Sequence, residues 1–219
     1  DLVVATAAMP PADWRRTRVF CWMTALLHFD KLFQLPLILA HGISGIAYRD
    51  MIEAFMAADP ARFPLIAEIN EFFHGEARSI QQGGAEYVFS KEYLGIYWPA
   101  DEFIFVELTA KGKFDAFYAE AGRLLEEIVK SRAADLPMEI LDEAIRLNHA
   151  LVHQPFVKDN TTVRLRYNLL EYWQKVRDGE QPDLREAPSV VEIDRSARPY
   201  DDFLTRRYHS HSRRTCFSV

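Results

Sequence analysis

The chain has 219 residues, 49% of them hydrophobic, with 15 Phe, 9 Gly and a formal net charge of −6. This is the length of one large domain or two small ones, with ample material for a core, and scarce glycine with mixed charge argues against disorder away from the ends. An acidic chain lacks the basic footprint of a nucleic-acid-binding surface, and the two cysteines, Cys21 and Cys216, do not make a disulfide framework, which points to a reducing, cytoplasmic location.

Asp1-Leu2-Val3-Val4 has no basic stretch of the kind that opens a signal peptide. It reads as the end of something longer, so an excised or processed fragment is expected. Leu2–Thr6 has the pattern of a short strand ended by Pro10-Pro11, and Asp13 is placed to cap a first helix. From Arg18 to His41 the chain is as apolar as a membrane segment, but Arg18, His28, Asp30, Lys31 and Pro36 punctuate it. A spanning helix needs about 20 predominantly apolar residues, and a central His-Phe-Asp-Lys is costly in lipid. The tract therefore reads as a buried helix pair and not a membrane span. Val19, Trp22, Met23, Leu26 and Leu27 form its inward stripe, and Cys21 within it is expected to be a small buried hydrophobe. Pro36 is expected to interrupt or kink the tract, with Gly42 and Gly45 making a tight turn.

Further helices are predicted over 48–58, 64–82, 99–111, 114–132 and 137–153, with Gly83-Gly84 and Gly112 as stops and Pro137 as a first-turn proline. Tyr87–Trp98 reads as an irregular aromatic link. Thr161–Arg166 alternates like a strand, Tyr167–Arg177 like a short helix, and 178–190 like a polar loop; Val190–Ile193 can be a strand and Tyr200–Tyr208 a last helix. The expected fold class is mainly α, a helical bundle of about six to eight helices with short β elements near the termini. The strands pair with each other or complete a sheet the chain does not contain. The expected domains are a helical bundle over 1–158 and a small α+β extension over 159–219 packed on it.

Few side-chain patterns suggest chemistry. His149 and His153 share a helical face, as zinc-binding pairs do, but Ala150 stands where HExxH needs Glu. With Asp142 and Arg146 they read as a solvated face beside Leu141, Ala144, Ile145, Asn148 and Val152. Glu71-x-x-His74 is one unit of a di-iron bundle site that needs two. His209, His211 and Cys216 near the end fit surface decoration better than a metal site. His28 and His41 flank the apolar tract and read as satisfied core or interface histidines.

Several segments resemble one family. The short strand VVATAAM (3–9), the helix start Asp13-Trp14-Arg15, the long apolar helix after it, and the turn Gly45-Ile46-Ala47-Tyr48-Arg49 are similar to the region after the radical-SAM core of cobalamin-binding radical-SAM proteins. Arg166-Tyr167-Asn168-Leu169-Leu170-Glu171-Tyr172 resembles the family's YN-x-x-E-Y segment, and Tyr200-Asp201-Asp202-Phe203 with Arg213-Arg214 its terminal helix and basic close. The resemblance implies a parent enzyme using S-adenosylmethionine, an iron–sulfur cluster and cobalamin. In that family three thiolates of Cys-x-x-x-Cys-x-x-Cys hold the cluster. Two cysteines 195 positions apart cannot, so no catalytic, cofactor or metal residue carries over to this chain. The implied role is a C-terminal accessory domain that shapes the substrate pocket and keeps water from radicals. His28, His41, Tyr48, Arg49, Arg166 and Asn168 are the polar groups expected to face that pocket, and the rest of the parent polypeptide is the expected partner. The alternatives are a free-standing helical interaction or dimerisation module, and a metal-dependent bundle enzyme using Glu71, His74, His149 and His153.

Overall fold

The apolar tract turns a right-angle corner. In the computed structural model, which describes residues 3–132, 135–154, 157 and 159–195, helix α1 (Pro11–Thr24) runs into a π-helical turn (Ala25–Phe29) and then into α2 (Gln34–Ser44), and the two arms meet at a bend of 94°. No single described helix is long and apolar enough to cross a membrane. The fold is mainly α: eight α-helices and two small two-stranded antiparallel sheets among the described residues.

Local chemistry moves several boundaries from their expected places. The helix starts at Pro11 itself, because a proline has the φ that a first turn needs and no N–H to leave unpaired. Asp13 therefore lies inside the first turn and makes no capping bond. No strand forms over the described residues before it; there is an isolated bridge between Thr6 and Met9, with the Met9 N–H also donating to Thr6 Oγ1 at 3.0 Å. Pro36 neither breaks nor kinks a helix. It is the third residue of α2, where a missing N–H costs nothing. Gly42 is helical, and Gly45, at φ 65°, ends α2 by donating its N–H to the His41 carbonyl at 2.9 Å. Cys21 is exposed, on the side of α1 away from buried Val19, Trp22 and Met23.

The bend is built into the core. Leu26, Leu27, Leu32 and Phe33 are fully buried, and the Phe33 ring sits 5.9–6.4 Å from those of Phe55, Phe117 and Tyr118. These belong to α3 (Tyr48–Met56) and α6 (Phe114–Ser131), which with α4 (Pro64–Gln81) and α7 (Met138–Leu151) surround the tract. A sharp bend inside a core strands backbone polar groups, and Asn148 of α7 collects them. Its Oδ1 accepts the Leu35 N–H at 2.8 Å, and its Nδ2 donates to the carbonyls of Lys31 (3.1 Å) and Leu32 (3.0 Å) and to the Tyr118 hydroxyl (2.7 Å). The Tyr118 hydroxyl in turn donates to the Leu32 carbonyl. A second buried polar group, Glu120, accepts the Leu65 and Ile66 N–H groups (3.0 and 3.1 Å) at the start of α4.

The stretch expected to be an irregular link contains a hairpin, β1 (Val88–Ser90) with β2 (Ile96–Trp98), closed by Leu94 and Gly95 at positive φ. Ser90 and Trp98 face inward, and the Trp98 Nε1–H donates to the Tyr93 carbonyl at 3.0 Å. The outward pair is Phe89 and Tyr97, 5.1 Å apart. Two residues after Trp98, α5 (Ala100–Ala110) begins.

The chain divides into two compact units, 1–149 and 150–219. In the second, β3 (Thr161–Tyr167) pairs antiparallel with β4 (Glu186–Ile193), and α8 (Leu169–Arg177) lies between them in sequence. The loop expected over 178–190 thus ends early, because pairing with β3 reaches back to Tyr167 opposite Glu186. The helix expected over 200–208, and His209, His211 and Cys216, lie outside the described residues.

Replacing Asn148 with Ala should leave the Leu35 N–H unsatisfied and remove the donor to two carbonyls at the bend. Leaving buried groups unpaired costs roughly 1–3 kcal/mol each, so N148A should lose roughly 3 kcal/mol or more in urea unfolding. A loss below about 1 kcal/mol would show that the bend does not depend on this side chain.

Candidate functional site

The π turn gathers most of the unusual polar chemistry of the first unit. Its wider backbone ring lets the Asp30 N–H reach the Ala25 carbonyl, and just beyond it the Phe33 N–H reaches back six residues to the Leu27 carbonyl, both at 2.8 Å. Lys31 follows at φ 63°, rare for a residue other than glycine. The His28 ring is 5.5 Å from that of Tyr48 at the start of α3, and the His41 ring is 4.3 Å from the same tyrosine. His41 Nδ1 is 2.9 Å from the Ile46 carbonyl. Three of the six expected polar residues, His28, His41 and Tyr48, are therefore one cluster, assembled because the bend returns α2 beside the start of α3.

The other three sit elsewhere. Arg49 is largely exposed and bonds Glu53 at 3.1 Å, which also receives Arg16. Arg166 lies on β3 in an exposed ion pair with Glu186 at 2.6 Å, its guanidinium over the Tyr167 ring; such surface pairs contribute little. Asn168 is buried in the second unit, where its Nδ2 donates to the Asp183 carbonyl (3.1 Å) and its Oδ1 accepts the Arg185 N–H (2.9 Å). It pins the loop that brings β4 back to β3.

Asp30, just after the π turn, has a carboxyl pKa of about 8, raised first by burial and then by the charges of Asp101 and Glu102. Those two acids occupy the first turn of α5. Burial raises the pKa of Asp101, although the backbone N–H groups of Asp101 and Glu102 oppose the shift, and burial and Asp101 together raise that of Glu102. Burial also lowers the pKa of His28. Arg18 of α1 supplies a positive charge to Asp101, but its Nη2 is bonded to Glu86 at 2.7 Å and its guanidinium lies over the Trp22 ring. The Asp30 Oδ2 and His28 Nδ1 are buried without a hydrogen-bond partner among the described residues. Near neutral pH this corner therefore holds a protonated carboxyl and an uncharged imidazole. These groups can give or take a proton, or bind a neutral polar group, in mostly apolar surroundings.

Asp101 and Glu102 were not singled out as site residues in the sequence; behind Pro99 they read as ordinary first-turn acids. Asn148 was read as part of an apolar stripe. Glu71 bonds Arg78 at 2.8 Å, and His149 bonds Asp115 at 2.7 Å, with its ring against Phe114 and Tyr118. His149 is thus partly exposed and paired with a largely exposed Asp115, and Asp142 and Arg146 beside it are exposed, as a solvated face requires. Among the described residues no group of three His, Cys, Asp or Glu side chains is arranged to hold a metal. Compared with known protein families and with curated proteins, the sequence has no match.

Unfolded, Asp30 loses its proton near the ordinary value of 3.8; folded, it keeps it to about 8. Between those values the folded state binds one more proton, so stability falls as pH rises through this window and levels off above it. Asp30→Asn removes the titration. The variant should gain stability over the parent chain progressively from about pH 4 to pH 8, by on the order of a few kcal/mol at the upper end. Thermal melts across that range check it, and a pH-independent difference would contradict the assignment.

Proposed function

We propose that the chain is an accessory domain of a larger enzyme, one resembling the C-terminal part of cobalamin-dependent radical-SAM enzymes. It would cover the open side of a catalytic core, shape the substrate pocket and keep water out. Exposed aromatic side chains support the reading. Phe29 on the π turn is 70% exposed and Tyr97 on the hairpin 63%, with Phe89 and Tyr87 each half-exposed. Both groups flank the start of α5, since the hairpin leads straight into it and its acids act on Asp30. Isolated exposed aromatics are common, but a set of them beside incompletely paired polar groups fits a surface that another protein surface completes.

The implied cofactors do not fit this chain. Its two cysteines cannot supply the three thiolates of a four-iron cluster, and Cys21 is exposed on α1. That chemistry would belong to the parent polypeptide. The contribution of this chain would be apolar cover and a few oriented polar groups, among which His28, His41 and Tyr48 are the cluster in place. A free-standing interaction module would use the same aromatic surface.

The reading frame containing Asp1 should extend upstream through Cys-x-x-x-Cys-x-x-Cys; a frame that begins at or near Asp1 would sink the enzyme assignment. Produced separately, the upstream polypeptide should bind this chain. Phe29→Glu with Tyr97→Glu should weaken that binding at least about tenfold, about 1.4 kcal/mol, with helical content and melting temperature unchanged. Unaltered binding would remove the aromatic surface from the proposal. Concentration-dependent self-association by light scattering without any upstream cysteine motif would favour the free-standing module.

A further inference from the structure

Three features that each carry a cost occupy seven consecutive residues at the bend. The turn over Ala25–Phe29 is π rather than α, with poorer packing along its axis. Lys31 is left-handed at φ 63° without being glycine. Asp30 buries an oxygen that accepts no hydrogen bond among the described residues. Sites that accumulate such costs are often places where two arrangements of the chain lie close in free energy.

The surroundings say which part is free to change. Upstream, Leu26 and Leu27 are fully buried and hold the first half of the turn in the core. Downstream, Asn148 fixes the Lys31 and Leu32 carbonyls and the Leu35 N–H. Between these anchors lie His28, Phe29 and Asp30. Phe29 is already mostly exposed, so moving this short segment outward sacrifices little apolar burial.

We propose that His28–Asp30 is a proton-operated latch, closed against the first turn of α5 while Asp30 is neutral and released toward solvent when Asp30 ionises. The groups around it set the direction. From α5, Asp101 and Glu102 both oppose a further negative charge. From α1, Arg18 acts on Asp101 and is already bonded to Glu86. On its own segment, His28 is disfavoured as a cation by burial and turned to Tyr48 of α3, and Lys31 is next in sequence. From α2, His41 lies against the same tyrosine. An ionised Asp30 would thus stand with two like charges beside one engaged guanidinium, and moving into water is the least costly response. The Asp30 carboxyl, with a pKa of about 8, places the event in mildly alkaline solution.

Hydrogen exchange of the whole chain from pH 6 to pH 10, corrected for intrinsic amide rates, tests this. The amides of residues 29 and 30 should exchange at least tenfold faster above pH 8 than at pH 6, while core amides of α6 keep their protection. Asp30→Asn should abolish the rise, and Asp101→Asn with Glu102→Gln should shift its midpoint to lower pH. A flat profile in the parent chain, or the same rise in Asp30→Asn, overturns the latch. If Asp30→Asn does not fold, the double variant decides: an unmoved midpoint overturns it.

Discussion

A polypeptide that turns sharply inside its own core must find partners for the backbone groups exposed at the turn, because no water is there to take them. Here one side chain meets most of that demand. Asn148 has one acceptor and two donor hydrogens, and it uses both kinds on the segment Lys31–Leu35 while also bonding Tyr118. Once the bend is held, α2 leaves at about a right angle to α1, Phe33 enters the space between α3 and α6, and Tyr48 arrives next to both His28 and His41. The aromatic core and the polar cluster are therefore consequences of the same constraint.

The sequence shows its helices more readily than the way they meet. Apolar periodicity and the Gly and Pro stops place α3 to α8 within a few residues, since those signals reflect burial of one face and local backbone geometry. The bend was legible only as a set of breaks at Asp30, Lys31 and Pro36. Which break bends the chain depends on tertiary partners: Pro36, expected to interrupt or kink the tract, sits harmlessly in a first turn, while the bend falls on the π turn and the segment after it that Asn148, 117 residues away from Lys31, supports. The hairpin at 88–98 was hidden for a related reason. Its three-residue strands are too short for alternation to register, and Trp98 is held by a hydrogen bond that no pattern encodes.

The candidate site was half legible. His28 and His41 stood out as polar residues at the edges of an apolar run, and Tyr48 through the family resemblance. Arg49, Arg166 and Asn168 stood out on the same grounds, yet they form two surface ion pairs and a loop pin. A polar residue beside apolar sequence is a symptom shared by pocket groups, snorkelling cations and structural amides. What separates them is whether the polar atoms find partners, and that is a property of the fold. Asp101 and Glu102 show the converse, ordinary helix-start acids that matter because Asp30 is opposite.

Burying a carboxyl beside two others is an expensive arrangement for a chain with no use for it, since Asn or Ser at position 30 would avoid the titration altogether. The penalty falls on a segment that the core does not otherwise need: removing Leu26 or Phe33 would hollow the bundle, whereas Phe29 is 70% exposed and makes a limited contribution to packing. Strain and unpaired polarity are thus concentrated where the bundle can tolerate movement and where the exposed aromatic surface begins. A partner that docked there with a cation or a hydrogen-bond donor would lower the cost of the Asp30 charge, and by linkage would bind more tightly as pH rises. Docking of such a partner and proton release at this corner would therefore be coupled through Asp30, and a mutation at that position that altered one would alter the other.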